Sequence, residues 1–431
     1  MKLKHADRYD TWLYEENEKG RLFCSTDFQQ DLSKVKLLLS SVDTVRQLYR
    51  GTLDQDRFEE LDQEYEEARN ETRIVHLHGF DFVVRPGGAS GYKIRLQNNE
   101  VGIICFVKTH FAESCRTGTH LKIECSPKLL LTSTPEEVQS YMDGIAAELL
   151  QEDFIYGGVA LHLALDVQGY EPVKNFSDRI VCRSNRLFAR DGIDRAEMTL
   201  GEVSVQYGKG QSFTFGSVNA LQFAHYNKSK EIISSDKRDF MHAAWSGEMS
   251  RNWTPDQYGF DPDYGDVWRL EFRFSHQVLN QFDEGFQTLP NNSVKDIRMK
   301  SYAQAFEHLG ALWEYAMEQF QLPEGKFYNP HWSLFMLDAD FNRHHQDVIY
   351  KRVRKEPGID NARNVALALG NILSIHARHG YSAGRSIDYL RKTGIWDDVL
   401  GYLRERKISL EEFNESWRDR LLERRMLKHA A

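Results

Sequence analysis

The spacing of apolar positions changes period several times along the chain. Between residues 32 and 51, LSKVKLLLSSVDTVRQLYRG carries them at helical intervals and stops at Gly51, a suitable helix C-cap. The acidic stretch FEELDQEYEEARNE that follows reads as a solvated helical face. A polar, mostly helical N-terminal region over residues 1–70 is therefore predicted. From about 73 to 131 the period falls to two in RIVHLHGFDFVVR, YKIRLQ, VGIICFVK and HLKIECS, with the glycine-rich RPGGASGY as a hairpin turn. This pattern predicts a twisted antiparallel sheet. TPEEVQSYMDGIAAELL then opens a helix in which Thr134 and Glu137 stand at capping-box spacing, and HLALD at 162–166 returns to a strand.

Further on, two short strands are expected either side of YGKGQ, after an exposed turn at ARDGIDR. SSDKRDFMHAAWSGEMSRNW reads as a helix, NWTPDQYGFDPDYGD as an aromatic, turn-rich segment, and WRLEFRF at 268–274 as a strand. HQVLNQF, SVKDIRMKSYAQAFEHLGALWEYAMEQF and most of 360–428 have helical spacing. This order predicts an α+β protein: a helical region over 1–70, a sheet-centred core over 71–290 built on a central antiparallel sheet, and a helical, partly basic C-terminal domain over 291–431. At 431 residues the chain is long enough for two or three domains of ~100–200 residues each.

Composition narrows the class. Hydrophobic content of 41% and aromatic content of 12% exclude a disordered chain. No run approaches the ~18 apolar residues of a membrane span, and the start MKLKHADRYD lacks the apolar core of a signal peptide. A cytoplasmic protein with no membrane partner is expected. Cys24, Cys105, Cys115, Cys125 and Cys182 are scattered with no CxxC pair, which points to reduced thiols rather than disulfides or a zinc site. The net charge of −9 weighs against a general nucleic-acid binder, but it is spread unevenly. Residues 341–431 hold 18 Lys and Arg against 12 Asp and Glu, whereas the rest of the chain holds 37 against 52. A basic C-terminal segment suits DNA engagement, and a solvated helical face gives the same balance.

Three stretches carry polar groups where a strand would be expected to be apolar. Strand side chains alternate between faces, so HLALD and its neighbours put Leu161, Leu163 and Leu165 on one face and His162, Ala164 and Asp166 on the other. WRLEFRF puts Leu270, Phe272 and Phe274 on the core side and Arg269, Glu271 and Arg273 opposite. FAHYNKSKE at 223–231 adds Tyr226 with Lys228 and Lys230 close by. A tyrosine, a basic residue and a set of His and carboxylate side chains on one sheet face is what metal-assisted phosphoryl transfer to a tyrosine hydroxyl requires. A phenol with an ordinary pKa near ~10 needs nearby positive charge or a metal to become a nucleophile. The plainer readings are a packed strand-end tyrosine and an ion-pair ladder of Arg269, Glu271 and Arg273. His162 and Asp166, at i and i+4 on one strand, lie too far apart to pair directly and need a shared third partner.

FGSVNALQFAHYNKSKE resembles the FGSR and YxK segment of the replication initiation factor family, the rolling-circle initiators and relaxases of plasmids, phages and integrative conjugative elements. HLALD resembles that family's D-x-x-x-D strand and WRLEFRF its R-x-E strand, and the likeness covers roughly residues 75–290. It implies a sheet-centred endonuclease, distantly related to the His-hydrophobe-His nickases, that cuts one DNA strand and stays joined to the 5′ end through tyrosine. On this likeness Tyr226 is the nucleophile, steadied by Lys228. His162, Asp166 and Glu271 hold one divalent metal, and Arg269, Arg273 and Lys230 meet DNA phosphates. His162 stands where the family usually has a carboxylate. Imidazole suits Mn²⁺ better than the oxygen-preferring Mg²⁺, so the cofactor is Mn or Mg with the preference open.

The partners this implies are single-stranded DNA and origin duplex, with a host replication helicase and a second copy of the chain as further candidates. RSIDYLRKTGIWDDVLGYLRERK supplies two helices around Gly394, with Arg385, Arg391, Lys392, Arg404, Arg406 and Lys407 available to duplex phosphates. His76 and His78 in HLH form a rival metal pair. RPGGASG lacks the GxxxxGK[ST] pattern, so no nucleotide cofactor is expected. Trp245, Trp253, Tyr258, Phe260, Tyr264 and Trp268 gather near the proposed site and include candidates for stacking on single-stranded bases. Two other functions fit the same scaffold: a non-catalytic origin or regulatory DNA-binding protein, and an element protein acting through protein partners.

Overall fold

A computed structural model describes residues 3–12, 19–85, 91–182, 187–189, 212–235, 237–247, 259–283, 286–288, 294–341, 362–405 and 408–426. The chain starts with a small antiparallel sheet of β1 (Asp7–Trp12), β2 (Lys19–Cys24) and β3 (Gln29–Asp31). The long β4 (Lys36–Gly51) and α1 (Gln55–Glu67) follow. A meander of β5 (Ile74–Leu77), β6 (Phe80–Arg85), β7 (Tyr92–Asn98), β8 (Ile103–Thr109) and β9 (Gly118–Cys125) comes next. Helices α2 (Pro127–Leu130) and α3 (Pro135–Leu149) lead into β10 (Ile155–Gln168). After α4 (Phe176–Arg179) come β11 (Val181–Cys182), β12 (Leu187–Ala189), β13 (Ser212–Gly216) and β14 (Leu221–Asn227). Then α5 (Lys228–Ser234), α6 (Arg238–Trp245), β15 (Val267–Phe274) and α7 (His276–Asp283) complete the part that bears on the site.

Among the described residues, eleven strands form one sheet in the order β12-β13-β14-β15-β10-β4-β9-β8-β7-β6-β5, and neighbouring strands run antiparallel. The α+β architecture with a central antiparallel sheet is thus present, and the Thr134–Glu137 capping box forms in both directions. No helix among the described residues is long and apolar enough to cross a membrane.

The helix expected over 32–51 is a strand. β4 is hydrogen-bonded on both sides, to β10 and to β9. Its irregular pairing explains the misleading spacing. Val45, Gln47 and Tyr49 alternate as a strand should, each fully buried. Between Val42 and Val45 the interval becomes three, because Thr44 pairs with His162 and Val42 with Leu163, leaving Asp43 as the extra residue of a β-bulge. A second shift omits Leu38 in the same way. Two bulges convert a period of two into apparent helical spacing. Among the described residues of this N-terminal region, strand accordingly outweighs helix, which is confined to α1.

The domain boundaries also fall elsewhere. One hydrophobic core runs from Ala6 through Phe341, so residues 1–70 and 291–341 belong with the sheet rather than apart from it. The chain divides into a Met1–Val353 unit and an Arg354–Ala431 unit. The first also holds α8 (Tyr302–Phe306), α9 (Leu309–Gln319) and α10 (Pro330–Asp338). The second consists of α11 (Ala362–Arg378), α12 (Ala383–Arg391), α13 (Trp396–Glu405) and α14 (Leu410–Met426) around its own core of Leu369, Leu373, Leu390, Val399, Leu403 and Trp417.

Candidate active site

β10, β15 and β14 lie side by side. Their register sets His162 opposite Arg273, Ala164 opposite Glu271 and Asp166 opposite Arg269, and sets Tyr226 opposite Arg269 across the next ladder. Alternation then delivers all of these side chains to one face, with Leu161, Leu163, Leu165, Leu270 and Phe272 on the other. The polar face is partly covered. Ile232, Met241, Ala244 and Trp245 of α5 and α6 pack with Leu38, Leu39 and Val267 against it.

Beneath that cover the charges pair. His162 Nδ1 lies 3.1 Å from Glu271 Oε1. Tyr226 donates its hydroxyl hydrogen to Glu271 Oε2 at 2.8 Å, and Arg273 Nε donates to Glu271 Oε1 at 2.8 Å. Asp43 joins from β4: one carboxylate oxygen of Asp43, one of Glu271 and one ring nitrogen of His162 lie within 4.8 Å of one another. Bulges re-aim side chains, and here the bulge turns Asp43 toward the site beside Thr44, whose hydroxyl donates to it at 3.1 Å. The two carboxylates sit in a field of cations. Burial alone would raise the Glu271 carboxyl, but Arg273, His162 and Arg269 outweigh it and hold it well below the usual carboxylate range. Asp43 is lowered likewise, with Arg269 overcoming burial.

Asp166 does not join His162 and Glu271. The Arg269 guanidinium grips it with two hydrogen bonds, Nε to Oδ1 at 2.6 Å and Nη2 to Oδ2 at 2.8 Å, and Trp245 Nε1 donates to Oδ2 at 2.7 Å. Four strand residues span ~13 Å, so Asp166 is carried past His162, and the guanidinium directly opposite takes it instead. Asp43 occupies the place expected for Asp166. Arg269 itself is buried, with its remaining nitrogen Nη1 donating to Asp43, so it faces no solvent phosphate. Arg273 keeps partial exposure, with Nη1 donating to Gln222 at 3.2 Å. Lys230 is half-buried in the first turn of α5, 3.8 Å from Asp266.

Lys228 opens α5 and is buried. Its ammonium lies 2.5 Å from Glu231 and 5.7 Å from the Tyr226 ring centre. Asn227 caps this helix by accepting from Lys230 N at 3.0 Å, which fixes where the chain turns immediately after Tyr226. Burial and the neighbouring Glu271 raise the Tyr226 phenol well above its ordinary value, against Arg269. As it stands, Tyr226 is a hydrogen-bond donor, not a tyrosinate. Tyr226, Asp43 and Arg273 are the members of the cluster that reach solvent; His162 and Glu271 lie beneath them.

The rival histidines part company. His76 turns to Asp81 at 2.9 Å on the edge strand β5. His78 falls in the following turn with φ of +46°, and its backbone N–H donates to Glu148. They join no third ligand among the described residues. Among the aromatics, Trp245 is fully buried and Trp268 nearly so, whereas Tyr264 is 39% exposed. Trp253, Tyr258, Arg406 and Lys407, and the ARDGIDR turn beyond Ala189, lie outside the described residues. All five cysteines are free thiols.

No protein-family model matches the chain, so the likeness to replication initiation factors rests on the three motifs themselves. No solved structure matches it either. The uncharacterized protein ORF430 of Pseudomonas phage Pf1 is 36% identical over 394 residues, which span 89% of this chain and 88% of that protein.

Proposed function

Since this chain belongs to the same family as the uncharacterized Pf1 protein ORF430, we propose that it is a phage or mobile-element protein that nicks and rejoins DNA through Tyr226 to initiate rolling-circle replication. One observation carries the reading: the Tyr226 hydroxyl is hydrogen-bonded to Glu271, and Glu271, Asp43 and His162 each offer a ligand atom within 4.8 Å of the other two. The donor set, one imidazole nitrogen and two carboxylate oxygens, fits a divalent ion that accepts mixed ligands, and Mn²⁺ better than Mg²⁺. When bound there, such an ion supplies Lewis-acid stabilisation of charge on the phosphate and favours the tyrosinate.

The residues of this chain do the rest. Tyr226 Oη attacks phosphorus, forming the Oη–P bond as the P–O3′ bond breaks. The phenolic proton leaves along the hydrogen bond to Glu271, and the departing 3′ oxygen takes a proton from solvent. Arg273, partly exposed beside Glu271, meets a non-bridging phosphate oxygen. Lys228, close to the ring of Tyr226, favours the anion electrostatically. Arg269 and Asp166 hold Asp43 in place from below. Because the phosphotyrosine keeps the energy of the phosphodiester, the reverse attack rejoins the strand without ATP.

The test uses the full chain, a supercoiled plasmid carrying its own genetic neighbourhood, and Mn²⁺ or Mg²⁺. A relaxed product bearing protein joined at Tyr226 is expected, and Tyr226→Phe should form no adduct. An adduct at another tyrosine overturns the assignment. Independently of activity, Mn²⁺ should raise the thermal midpoint of the protein and fail to do so in Asp43→Asn or His162→Ala. A second reading, DNA binding without cleavage, is favoured by the Arg partners that already neutralise Asp43 and Glu271. It predicts DNA binding with no adduct and no Mn²⁺ effect.

A further inference from the structure

The Arg354–Ala431 unit carries an aromatic group that its core does not use. The core is made by residues such as Leu373, Leu390, Leu403 and Trp417, and Tyr381 and Tyr389 lie outside it. α11 ends and Gly380 turns the chain at φ of +70°, placing Tyr381 just ahead of Ser382, the cap of α12. Tyr389 sits one turn after Arg385 on α12, so its ring comes back over Tyr381. The two rings stack with centroids 5.2 Å apart and planes 16° apart. His379 stacks on Tyr381 at 5.6 Å and 26°. The Arg385 guanidinium lies 4.5 Å from the Tyr381 centroid and 5.7 Å from that of Tyr389.

This stack is at the surface. Tyr389 is 46% exposed, and Arg385 and His379 are exposed. Stacked aromatics normally add their surface to a core; here two tyrosine rings, a histidine ring and a guanidinium gather outside the core, with Tyr389, His379 and Arg385 exposed. The surrounding charge is positive: from Ile375 to Lys392 the chain has Arg378, Arg385, Arg391 and Lys392 against Asp388 alone. Arg378, Arg391 and Lys392 are exposed as well.

We infer that the Tyr381–Tyr389 stack, with Arg385, is a docking platform for single-stranded nucleic acid, taking a base on the open face of Tyr389 and its flanking phosphates on Arg385 and the neighbouring basic residues. Positive charge alone fits any polyanion. The exposed ring faces select the single-stranded form, because duplex bases are already stacked on one another and only splayed bases offer a π-face. The helices that were expected to lie on duplex phosphates thus present chemistry better matched to an unpaired strand. The inference requires contact with nucleic acid but not cleavage by Tyr226.

The test measures binding of the full chain, in EDTA so that cleavage does not enter, to a labelled twelve-residue oligothymidylate and to an abasic oligomer with the same phosphates. The oligothymidylate should bind more tightly by about 5- to 150-fold, the range for stacking of one base. Tyr389→Leu, which keeps bulk without a π-face, should remove that preference, and Tyr389→Phe should retain it. Arg385→Ala should flatten the salt dependence of log affinity by ~0.7 for each phosphate that the side chain no longer neutralises. Equal binding of the two oligomers, an unchanged preference in a folded Tyr389→Leu, or competition by duplex as strong as by single strand overturns the platform. A preference lost in Tyr389→Leu upholds it whether or not the Tyr226 adduct forms, so the two readings fail separately.

Discussion

The two faces of β14, β15 and β10 are made by the same strands, residue by alternate residue, and both are buried. On one, Leu161, Leu163, Leu165, Phe223, Leu270 and Phe272 are fully enclosed and meet only apolar neighbours or rings. On the other, His162, Asp166, Arg269 and Glu271 are almost as deeply enclosed, yet each is bound to a specific partner. Burial on the first face is a favourable term that scales with area and tolerates substitution by shape. Burial on the second is costly, and what offsets it is the pairing of each charge with its partner. The charged face is therefore the part of the fold on which the proposed chemistry rests.

The sharpest test of that contrast is Asp166→Ala, which leaves the Arg269 guanidinium buried with half its partners gone. A loss of ~3–5 kcal/mol in urea denaturation is expected, and the double change Asp166→Leu with Arg269→Met should recover most of it. A neutral Asp166→Ala would break the comparison. Next comes pH. His225, on the apolar side among Phe176, Phe223 and Trp268, accepts no charge easily: burial lowers its pKa to about 4. The unfolded chain takes up that proton near 6.5, so stability is full above about 6.5 and falls as pH drops toward 4, by on the order of 3 kcal/mol. His331 is lowered to about 4 as well and adds to the same window. Glu271 and Asp43 have lowered pKa values, so their contribution is present above the ordinary carboxylate range and is lost only as pH falls below it. His225→Phe should shrink the upper phase and leave the lower one in place.

Smaller effects sharpen the other side. Leu163→Met, a swap of similar volume on the apolar face, should cost less than ~1.5 kcal/mol. His76→Ala, at the exposed edge of the sheet, should stay within about 0.5 kcal/mol and leave the Mn²⁺ response unchanged. A lost Mn²⁺ response there would move the metal site to β5.

Much of this contrast was legible in the sequence because side-chain alternation is a local property. The parity of HLALD and WRLEFRF assigns the two faces, and YNK places Tyr226 and Lys228 together at a strand end. Pairing across strands is not local. Nothing in HLALD says that Arg269 will oppose Asp166, so the carboxylate expected at the site with His162 and Glu271 was the wrong member of the set. Asp43 was hidden twice, once because bulges gave its strand a helical rhythm, and again because alternation cannot say which way a bulged residue turns. The one signal for it was a lone aspartate inside SSVDTV, a run with no turn residue to excuse it. The C-terminal stack was missed for a similar reason: basic residues can be counted, whereas the approach of Tyr389 to Tyr381 depends on the turn at Gly380.

The bulge at Asp43 also makes the site separable from the scaffold. On either side of it β4 keeps its pairing with β10, Thr44 to His162 and Val42 to Leu163. A deletion of that single residue would close this break in the ladder, with Val42 and Val45 still seated and the carboxylate beside His162 and Glu271 gone. Such a deletion is a one-codon route between a charged centre and a silent copy of the same fold. Within a lineage, gain or loss of the centre would then appear as a length difference inside a strand, at a position where an alignment of ordinary strands would place no gap.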